Sequence, residues 1–417
     1  MEIEAKFLIS ERDTFEKLKG IETVTGFNPK KPVDKDFTDT YLDTMDMAIY
    51  ASGFSFRCRE KSSKVTYTLK SLSTSSSLVH TREEVEFTLN EKLPVKDWDN
   101  CVLRKRVLDI IGSGELFPLF TVTHKRTDIL LSRDQRNVAE MSFDDVVLTC
   151  EKSEKSYLEL EVELTGDGTE AEMNQIAEYF RDDRGLTPGS NSKFDNGLEL
   201  FMENVRKNAS ILNYDINIGS KNTKYSPLQD MIEEYGIERE HARRVAENSY
   251  RLFKDLKNIH HVRNELIHTL RIASVVHDIG VMTNVKNHHK TGRDILSETC
   301  PDELPYPLCA FLPWMTFLHK KRIDRKKLDK LSLKKKFLSL PSQMQDDILK
   351  LAAILRMADA LDYSRMESRI SEIDLSKEDI IVKIAGKGAS IDADRADTKA
   401  DLWRLLFERD IYFREDY

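Results

Sequence analysis

Along the first two hundred residues, polar and apolar side chains alternate at period 2, and from about residue 228 the apolar positions recur every three to four residues. On a β-strand successive side chains point to opposite faces, whereas a helix returns to the same face after three or four residues. The opening residues Glu2-Ile3-Glu4-Ala5-Lys6-Phe7 therefore predict a strand with charges on one face and apolar groups on the other. The charged face recurs at Arg57 and Arg59, at Thr68 and Lys70, at Arg82, Glu84 and Glu86, and at Glu159, Glu161 and Glu163. Strands carrying acids and bases on one shared face predict a barrel with a charged interior. In residues 170–180, Met173, Ile176, Ala177 and Phe180 are spaced as on a helix, and the Ser71–Ser77 run reads as a flexible polar loop.

Later stripes are helical: Val245, Ser249, Leu252, Phe253 and Leu256; Leu266, Leu270, Ala273 and Val276; Leu351, Ile354, Leu355, Ala358 and Leu361. Residues 380–384 read as a strand and 399–407 as a helix after it. The expected architecture is multidomain α+β: an antiparallel β-barrel, then a mainly α-helical domain with a small α+β C-terminal end. The boundaries expected are a barrel at 1–207, a linker at 208–226 rich in Asn, Gly, Lys and Ser, a helical domain at 227–370 and a small extension at 371–417.

Composition narrows the function. The 417 residues, 40% hydrophobic and 33% charged, suit a soluble globular chain, and the net charge of −8 argues against general nucleic-acid binding. Five cysteines without a C-x-x-C pair fit reduced thiols rather than a disulfide framework. The N-terminus has no basic segment followed by an apolar core, and the apolar stretch 304–318 holds three prolines, so neither a signal peptide nor a membrane span is expected. The expected compartment is the cytoplasm.

Glu-x-Glu-x-Lys at residues 2–6, Tyr41-Leu42-Asp43-Thr44, Phe56-Arg57-Cys58-Arg59, Thr68-Leu69-Lys70, Arg82-Glu83-Glu84-Val85-Glu86, Lys125-Arg126, Asp144, Glu159-Leu160-Glu161-Val162-Glu163 and Ser192-Lys193 occur in this order. Together they resemble the CYTH family of triphosphate tunnel metalloenzymes. The resemblance implies a closed antiparallel barrel that hydrolyses or cyclises triphosphates with Mg²⁺ or Mn²⁺. The chemistry agrees, since carboxylates hold hard divalent ions while arginine and lysine neutralise phosphate oxygens. The metal-site acids are expected at Glu2, Glu4, Glu159 and Glu161, with Asp144 as a metal or supporting acid and Glu140 sharing its face. Lys6, Arg57, Arg59, Lys70, Arg82, Arg126 and Lys193 are the expected substrate-binding cations. Glu2, Glu4, Lys6 and Arg59 are the catalytic candidates. Taken singly, each charge is ordinary solvated surface; the ordered set is not. Asp43 either shapes a turn or binds.

In the second half, His241, His277-Asp278, His288-His289, His319 and Asp359 follow one another, with Asp362 three residues beyond Asp359. That order resembles the HD phosphohydrolase superfamily. The segments 240–245, 276–280, 288–290, 318–321 and 355–365 resemble the C-terminal HD portion of the exopolyphosphatase/guanosine-pentaphosphatase family, whose N-terminal ATPase-like domain is replaced here by the barrel. His241, His277, Asp278 and Asp359 form the expected minimal metal set, for Mn, Mg, Zn or Fe. His289 and His319 would complete a second metal or bind phosphate, with His288 the lesser of its pair and Asp362 the substitute for Asp359. A helical scaffold with hydrogen-bonded histidines and no metal is the bland alternative. His260, His261 and His268 read as structural. Between Lys320 and Lys336 ten of the residues are Lys or Arg, which is either a solvated face or a polyanion track.

The expectation is a phosphohydrolase acting on triphosphate or polyphosphate, with the HD domain as a second catalytic, regulatory or dimerising module. A homodimer is expected, without membrane partners. An adenylyl cyclase is the alternative, followed by a non-catalytic triphosphate sensor.

Overall fold

The computed structural model describes residues 2–61, 64–72, 79–189, 191–212, 223–375 and 378–416, and for residues 2, 80–82 and 208–211 the backbone alone. The expected Ser71–Ser77 loop falls mostly outside this range. The chain divides into two compact units. The first comprises Met1–Asp43, Met47–Ile111 and Leu116–Asn204; the second takes in Thr44–Asp46, Gly112–Glu115 and Val205–Tyr417.

The first unit is built on one large sheet. Its main strands are β1 (Glu2–Ile9), β2 (Val33–Asp43), β3 (Phe54–Lys61), β4 (Lys64–Ser71), β5 (Val79–Arg82), β6 (Glu84–Leu89), β7 (Phe117–Arg133), β8 (Arg136–Cys150) and β9 (Ser153–Leu164). They pair antiparallel in the order β1-β9-β8-β7-β2-β3-β4-β6, with β5 on the far side of β1. The hydrogen-bonded ladder is therefore not the closed ring that the resemblance implied. β5 belongs to β1 and β6 to β4, and the single residue Glu83 joins them, its carbonyl accepting from Ser71 N at 2.9 Å.

Alternation decides which side chains line the interior. On β1, Ala5 and Phe7 are buried in an outer core with Phe15, Phe143, Leu160 and Met173, while Glu4 and Lys6 turn inward. Helices α1 (Arg12–Lys19) and α3 (Glu170–Glu178) contribute to that core, and α3 starts with a reciprocal capping box between Thr169 and Glu172. Helix α2 (Val102–Ile111) packs Leu103 and Val107 with Phe56, Tyr67, Leu69 and Trp98. Helix α4 (Lys193–Ile211) brings Phe194 and Leu200 to Phe120, Val122 and Val146. A Cβ at Gly197 would lie 2.0 Å from the Phe120 ring, so only glycine lets α4 approach this closely and set Lys193 at its first turn.

The second unit is mainly helical: α5 (Arg239–Asp255), α6 (Ile267–Val276), α7 (His288–Glu298), α8 (Phe311–Leu318) and α9 (Ser342–Ala360). The three apolar stripes read from the sequence lie buried on α5, on α6 with the turn before it, and on α9 with Leu361 after it. A small sheet follows, β10 (Arg369–Asp374) antiparallel to β11 (Ile380–Ala385) and β11 parallel to β12 (Ile411–Glu415). The crossover from β11 to β12 carries α10 (Ala389–Lys399) and α11 (Asp401–Leu406). The helix expected at 399–407 is α11; α10 escaped notice because alanines and a buried Asp392 make up much of its inner face.

The cysteine expectation needs correction. Cys300 and Cys309 form a disulfide, while Cys58, Cys101 and Cys150 are free. A pair nine residues apart closes a loop whatever the parity of the total, so cysteine count gives no support to a cytoplasmic location. Among the described residues no helix is long and apolar enough to cross a membrane.

Candidate active sites

Strand register builds the first site. Lys6 lies opposite Glu161, Asp144 opposite both Glu159 and Arg126, Asp39 opposite Arg59, and Thr68 between Arg57 and Glu86. Directly opposed residues share a face, so these pairs meet on the inner face of the sheet. They surround a cavity of about 490 Å³ lined by Glu4, Lys6, Arg57, Arg59, Lys70, Glu84, Glu86, His124, Arg126, Glu161, Glu163 and Lys193, among others.

The acids fall into two sets. Asp144, Glu159 and Glu161 present oxygens all within 4.8 Å of one another. Glu4 stands apart, beside Lys6 at 3.5 Å and Lys70 at 3.7 Å. Lys193 inserts its ammonium among the three acids, 3.1 Å from Asp144, 2.8 Å from Glu161 and in contact with Glu159. Arg126 Nε donates to Asp144 at 2.8 Å, and its Nη2 donates to Glu161 at 2.8 Å.

Electrostatics separates the neighbouring acids. Burial pushes Glu159 and Glu161 toward the neutral form. At Glu161 the cations of Lys193, Lys6 and Arg126 outweigh burial and hold the carboxyl well below its usual range, while Glu159 stays raised despite Lys193. Burial alone would lower Lys6, yet Glu161 and Glu4 keep its ammonium above the ordinary lysine value. Three close carboxylates offer a hard oxygen donor set, so these residues fit Mg²⁺ or Mn²⁺, with Lys193 supplying the positive charge that such an ion would replace.

Each expected residue can now be placed. Glu4, Lys6, Arg57, Arg59, Lys70, Arg126, Glu161 and Lys193 line the cavity, and Asp144 and Glu159 are buried in its wall. Lys125, on the other face, is exposed. The side chains of Glu2 and Arg82 lie outside the described residues. Asp43 accepts from Ile49 N and Tyr50 N, both at 2.9 Å, and so shapes a turn. The sequence reading passed over Asp39 and His124, although period 2 points to both. Asp39 precedes Tyr41 by two, and His124 precedes Arg126 by two. Buried His124 lies between the two halves of the site, Nε2 3.3 Å from Asp39 and Nδ1 3.5 Å from Asp144.

The second site is a histidine cluster. His277 and Asp278 follow α6 directly, His241 sits on α5, His288 opens α7, His319 follows the last residue of α8 and Asp359 lies near the end of α9. His241 and His277 bring their Nε2 atoms to 3.2 Å, and His288 and His319 theirs to 3.1 Å. Asp278 serves both pairs: Oδ2 is 3.8 and 3.6 Å from His241 and His277, and Oδ1 is 3.3 and 3.5 Å from His288 and His319. Asp359 joins the first pair at 3.5 and 3.6 Å.

The opposite ring nitrogens are engaged. His277 Nδ1 meets Ser274 O at 2.7 Å, His288 Nδ1 meets Val285 O at 2.9 Å and His319 Nδ1 meets Thr316 O at 2.6 Å. His241 Nδ1 meets Asp362 at 2.7 Å. A carbonyl alone, as at His277 and His319, favours a proton on Nδ1. His288 Nδ1 also meets Lys320 Nζ at 3.1 Å, and His241 Nδ1 also meets Arg365 Nη1, donors that favour an acceptor nitrogen there. Within each pair the Nε2 atoms stand 3.1–3.2 Å apart, a separation that calls for a proton or a cation between them. The donor set, two imidazoles and shared carboxylate per pair, fits a divalent transition metal. Burial alone would lower His277, but Asp278 and Asp359 raise it to about 9. Burial lowers His288 to about 4 even though Asp278 opposes it.

One expectation is reversed here. His289, expected as a ligand, is buried beside Phe317, with ring centres 5.9 Å apart, and His288 takes its place. Successive helical residues differ in direction by about 100°, so only one of the pair can face Asp278. Close backbone contact makes the choice: a Cβ on Gly280 would stand 2.4 Å from His288 O and 2.6 Å from Gly292 N. Asp362 supports His241 from behind, also accepting from Arg244 at 2.6 Å, while Asp359 lies on the Nε2 side of His241 and His277.

Residues 1–197 match the CYTH domain. Residues 225–407 match Ppx/GppA phosphatase, domain III. None of the curated proteins compared with the chain is similar to it. Among solved structures, a Hippeastrum protein, a proposed adenylyl cyclase with a dominant triphosphatase activity, is similar at 20% identity and a TM-score of 0.36, over 48% of this chain and 96% of its own. A proposed adenylate cyclase from Bacillus halodurans is similar at 22% identity and 0.34, over 47% and 96%. A Mimivirus capping enzyme triphosphatase is similar at 13% and 0.26, over 42% and 87%. Likeness at this level decides nothing about substrate.

Proposed function

We propose that this chain is a metal-dependent phosphohydrolase whose barrel hydrolyses inorganic triphosphate or a related polyphosphate. The observation carrying this reading is a cavity of about 490 Å³ in which six cations, Lys6, Arg57, Arg59, Lys70, Arg126 and Lys193, face a clustered acid set. Phosphoryl transfer asks a protein to position the chain and neutralise charge. The cations bind the phosphate oxygens, with Arg82 expected to join them, and Glu2, Glu4, Asp144, Glu159 and Glu161 hold Mg²⁺ or Mn²⁺. An ion held there would neutralise phosphate oxygens and lower the pKa of water. Water attacks the terminal phosphorus, the P–O–P bond breaks, and orthophosphate and diphosphate leave.

Hydrolysis is favoured over cyclisation by the lining aromatics. Tyr41 and Phe194 are both buried, Tyr41 stacked on Phe120 with ring centres 4.9 Å apart and packed on Phe194 at 5.6 Å, so neither offers an open face to a nucleobase. Incubation with tripolyphosphate, ATP and thiamine triphosphate in Mg²⁺ or Mn²⁺ tests the reading. Orthophosphate release supports it; cyclic nucleotide without phosphate release would replace it with a cyclase, and binding without turnover with a sensor.

The second unit is read as an HD-type centre holding two divalent ions (Mn, Mg, Zn or Fe), one at each histidine pair. It serves as a second phosphohydrolase site for the same class of anion.

A further inference from the structure

We propose that Lys399 and Arg356 are positioning residues for His319, acting through the main chain of residues 318–321 to hold the ligand that completes the His288–His319 pair. The inference rests on the reading that this cluster binds metal.

His319 lies one residue past the end of α8, where helix carbonyls lose their intrahelical donors and carry partial negative charge. Two buried cations satisfy them. Arg356, on α9 and fully buried, donates from Nη1 to Leu318 O, to His319 O at 3.1 Å and to Lys321 O at 2.8 Å. Lys399, the last residue of α10, donates from Nζ to His319 O at 2.9 Å and to Lys320 O. The other edge of Arg356 rests on Asp401, with bonds of 3.0, 2.6 and 2.7 Å, and Asp401 also accepts from Ile323 N at 2.7 Å. Both ends of the segment are thereby fixed.

The arrangement is more than a salt bridge. Of the two cations, Arg356 pairs with Asp401, and the remaining donors of Arg356 together with Lys399 go to the consecutive carbonyls 318–321. Buried cations are stable only when their donors are used. Burial and the neighbouring Arg356 hold Lys399 down, to about 8. Metal ligands function when held within roughly half an ångström of place by groups behind them. His241 and His277 take their placement from α5 and from the turn ending α6, and among the described residues no hydrogen bond joins either to Lys399 or Arg356. Asp359 beside them feels the charge of both cations, but the main-chain clamp itself bears directly on the His288–His319 pair. It also gives the α+β end of the chain a role, since α10 and α11 supply Lys399 and Asp401.

The test uses the full-length protein, loaded with Mn²⁺ and dialysed, with bound manganese counted and its EPR spectrum recorded. Asp278→Ala defines what the cluster contributes and is expected to lose two ions per chain. Lys399→Met should lose one ion, replacing an exchange-coupled pair signal with that of a single ion, while the melting temperature of the metal-free protein changes little. Lys399→Arg should restore the second ion. If Lys399→Met does not fold, Lys399→Gln, which keeps one donor, should weaken the second ion by roughly 10–100-fold. Wild-type manganese content and affinity in a folded Lys399→Met or Lys399→Gln protein would overturn the proposal. Unchanged manganese in Asp278→Ala would remove the metal reading itself, and this inference with it.

Discussion

Arg59 grips Asp39 through two parallel hydrogen bonds, Nε to one carboxylate oxygen at 2.7 Å and Nη2 to the other at 2.9 Å, from directly opposed positions on neighbouring strands. The guanidinium also lies 3.9 Å over the Phe37 ring. Its orientation is thus set before any phosphate arrives, which lowers the ordering cost of binding.

Asp39→Asn should therefore raise KM for tripolyphosphate several-fold with a smaller change in kcat, because it loosens Arg59 without removing it. Arg59→Ala should raise KM further. Steady-state kinetics on both variants separates positioning from direct contact.

The same pair predicts acid sensitivity. Burial would raise Asp39, but the hydrogen bonds from Arg59, the adjacent His124 ring and the charge of Arg57 hold it far below its ordinary 3.8. A depressed carboxyl contributes stability that is present above the unfolded value and lost as pH falls below about 3.8. Arg59 is partly exposed, so losing this charge-assisted pair costs about 2 kcal/mol. Denaturant titrations from pH 7 to pH 3 should show a shallower acid loss in Asp39→Asn than in wild type, on a lower plateau.

Glu4→Gln and Glu161→Gln should each reduce triphosphatase turnover at least about 100-fold while leaving circular dichroism unchanged, since each removes a negative charge at constant size. Near wild-type turnover in Mg²⁺ would exclude either residue from the metal site.

Gly280→Ala tests the packing that selects His288. Its Cβ would press on His288 O and Gly292 N, a steric insertion costing about 1–3 kcal/mol. The expected outcome is a lower melting temperature together with weaker metal binding.

Exposed lysines in the 320–336 run offer a substrate-length test. Combined Lys326→Gln and Lys330→Gln should slow turnover of long polyphosphate more than that of tripolyphosphate if the run carries polyanion. Equal rates on both would make it an ordinary solvated face.

Much of the first site was legible because strand alternation is local: Lys6, Arg57, Arg59 and Arg126 announce their face by the residues on either side. Asp39 and His124 share that alternation with Tyr41 and Arg126, but their part in the site comes from register, which pairs Asp39 with Arg59 only after the chain has folded. The helical stripes of the second unit were legible by the same local logic. His288 was not, because the choice between adjacent histidines is made by a Gly280–Gly292 contact that no periodicity reveals. Likewise the disulfide depends on a loop closing, which cysteine counting does not see.

The strand pair around Glu83 has a geometric consequence. The ladder on one side answers to β1 and that on the other to β4, so the two registers are set independently. The run 79–89 thus serves two ladders in turn, and Glu83 is the seam between them. One residue inserted at Glu83 would slip β5 along β1 by one place and exchange the two faces of that strand, while β6 kept its pairing with β4.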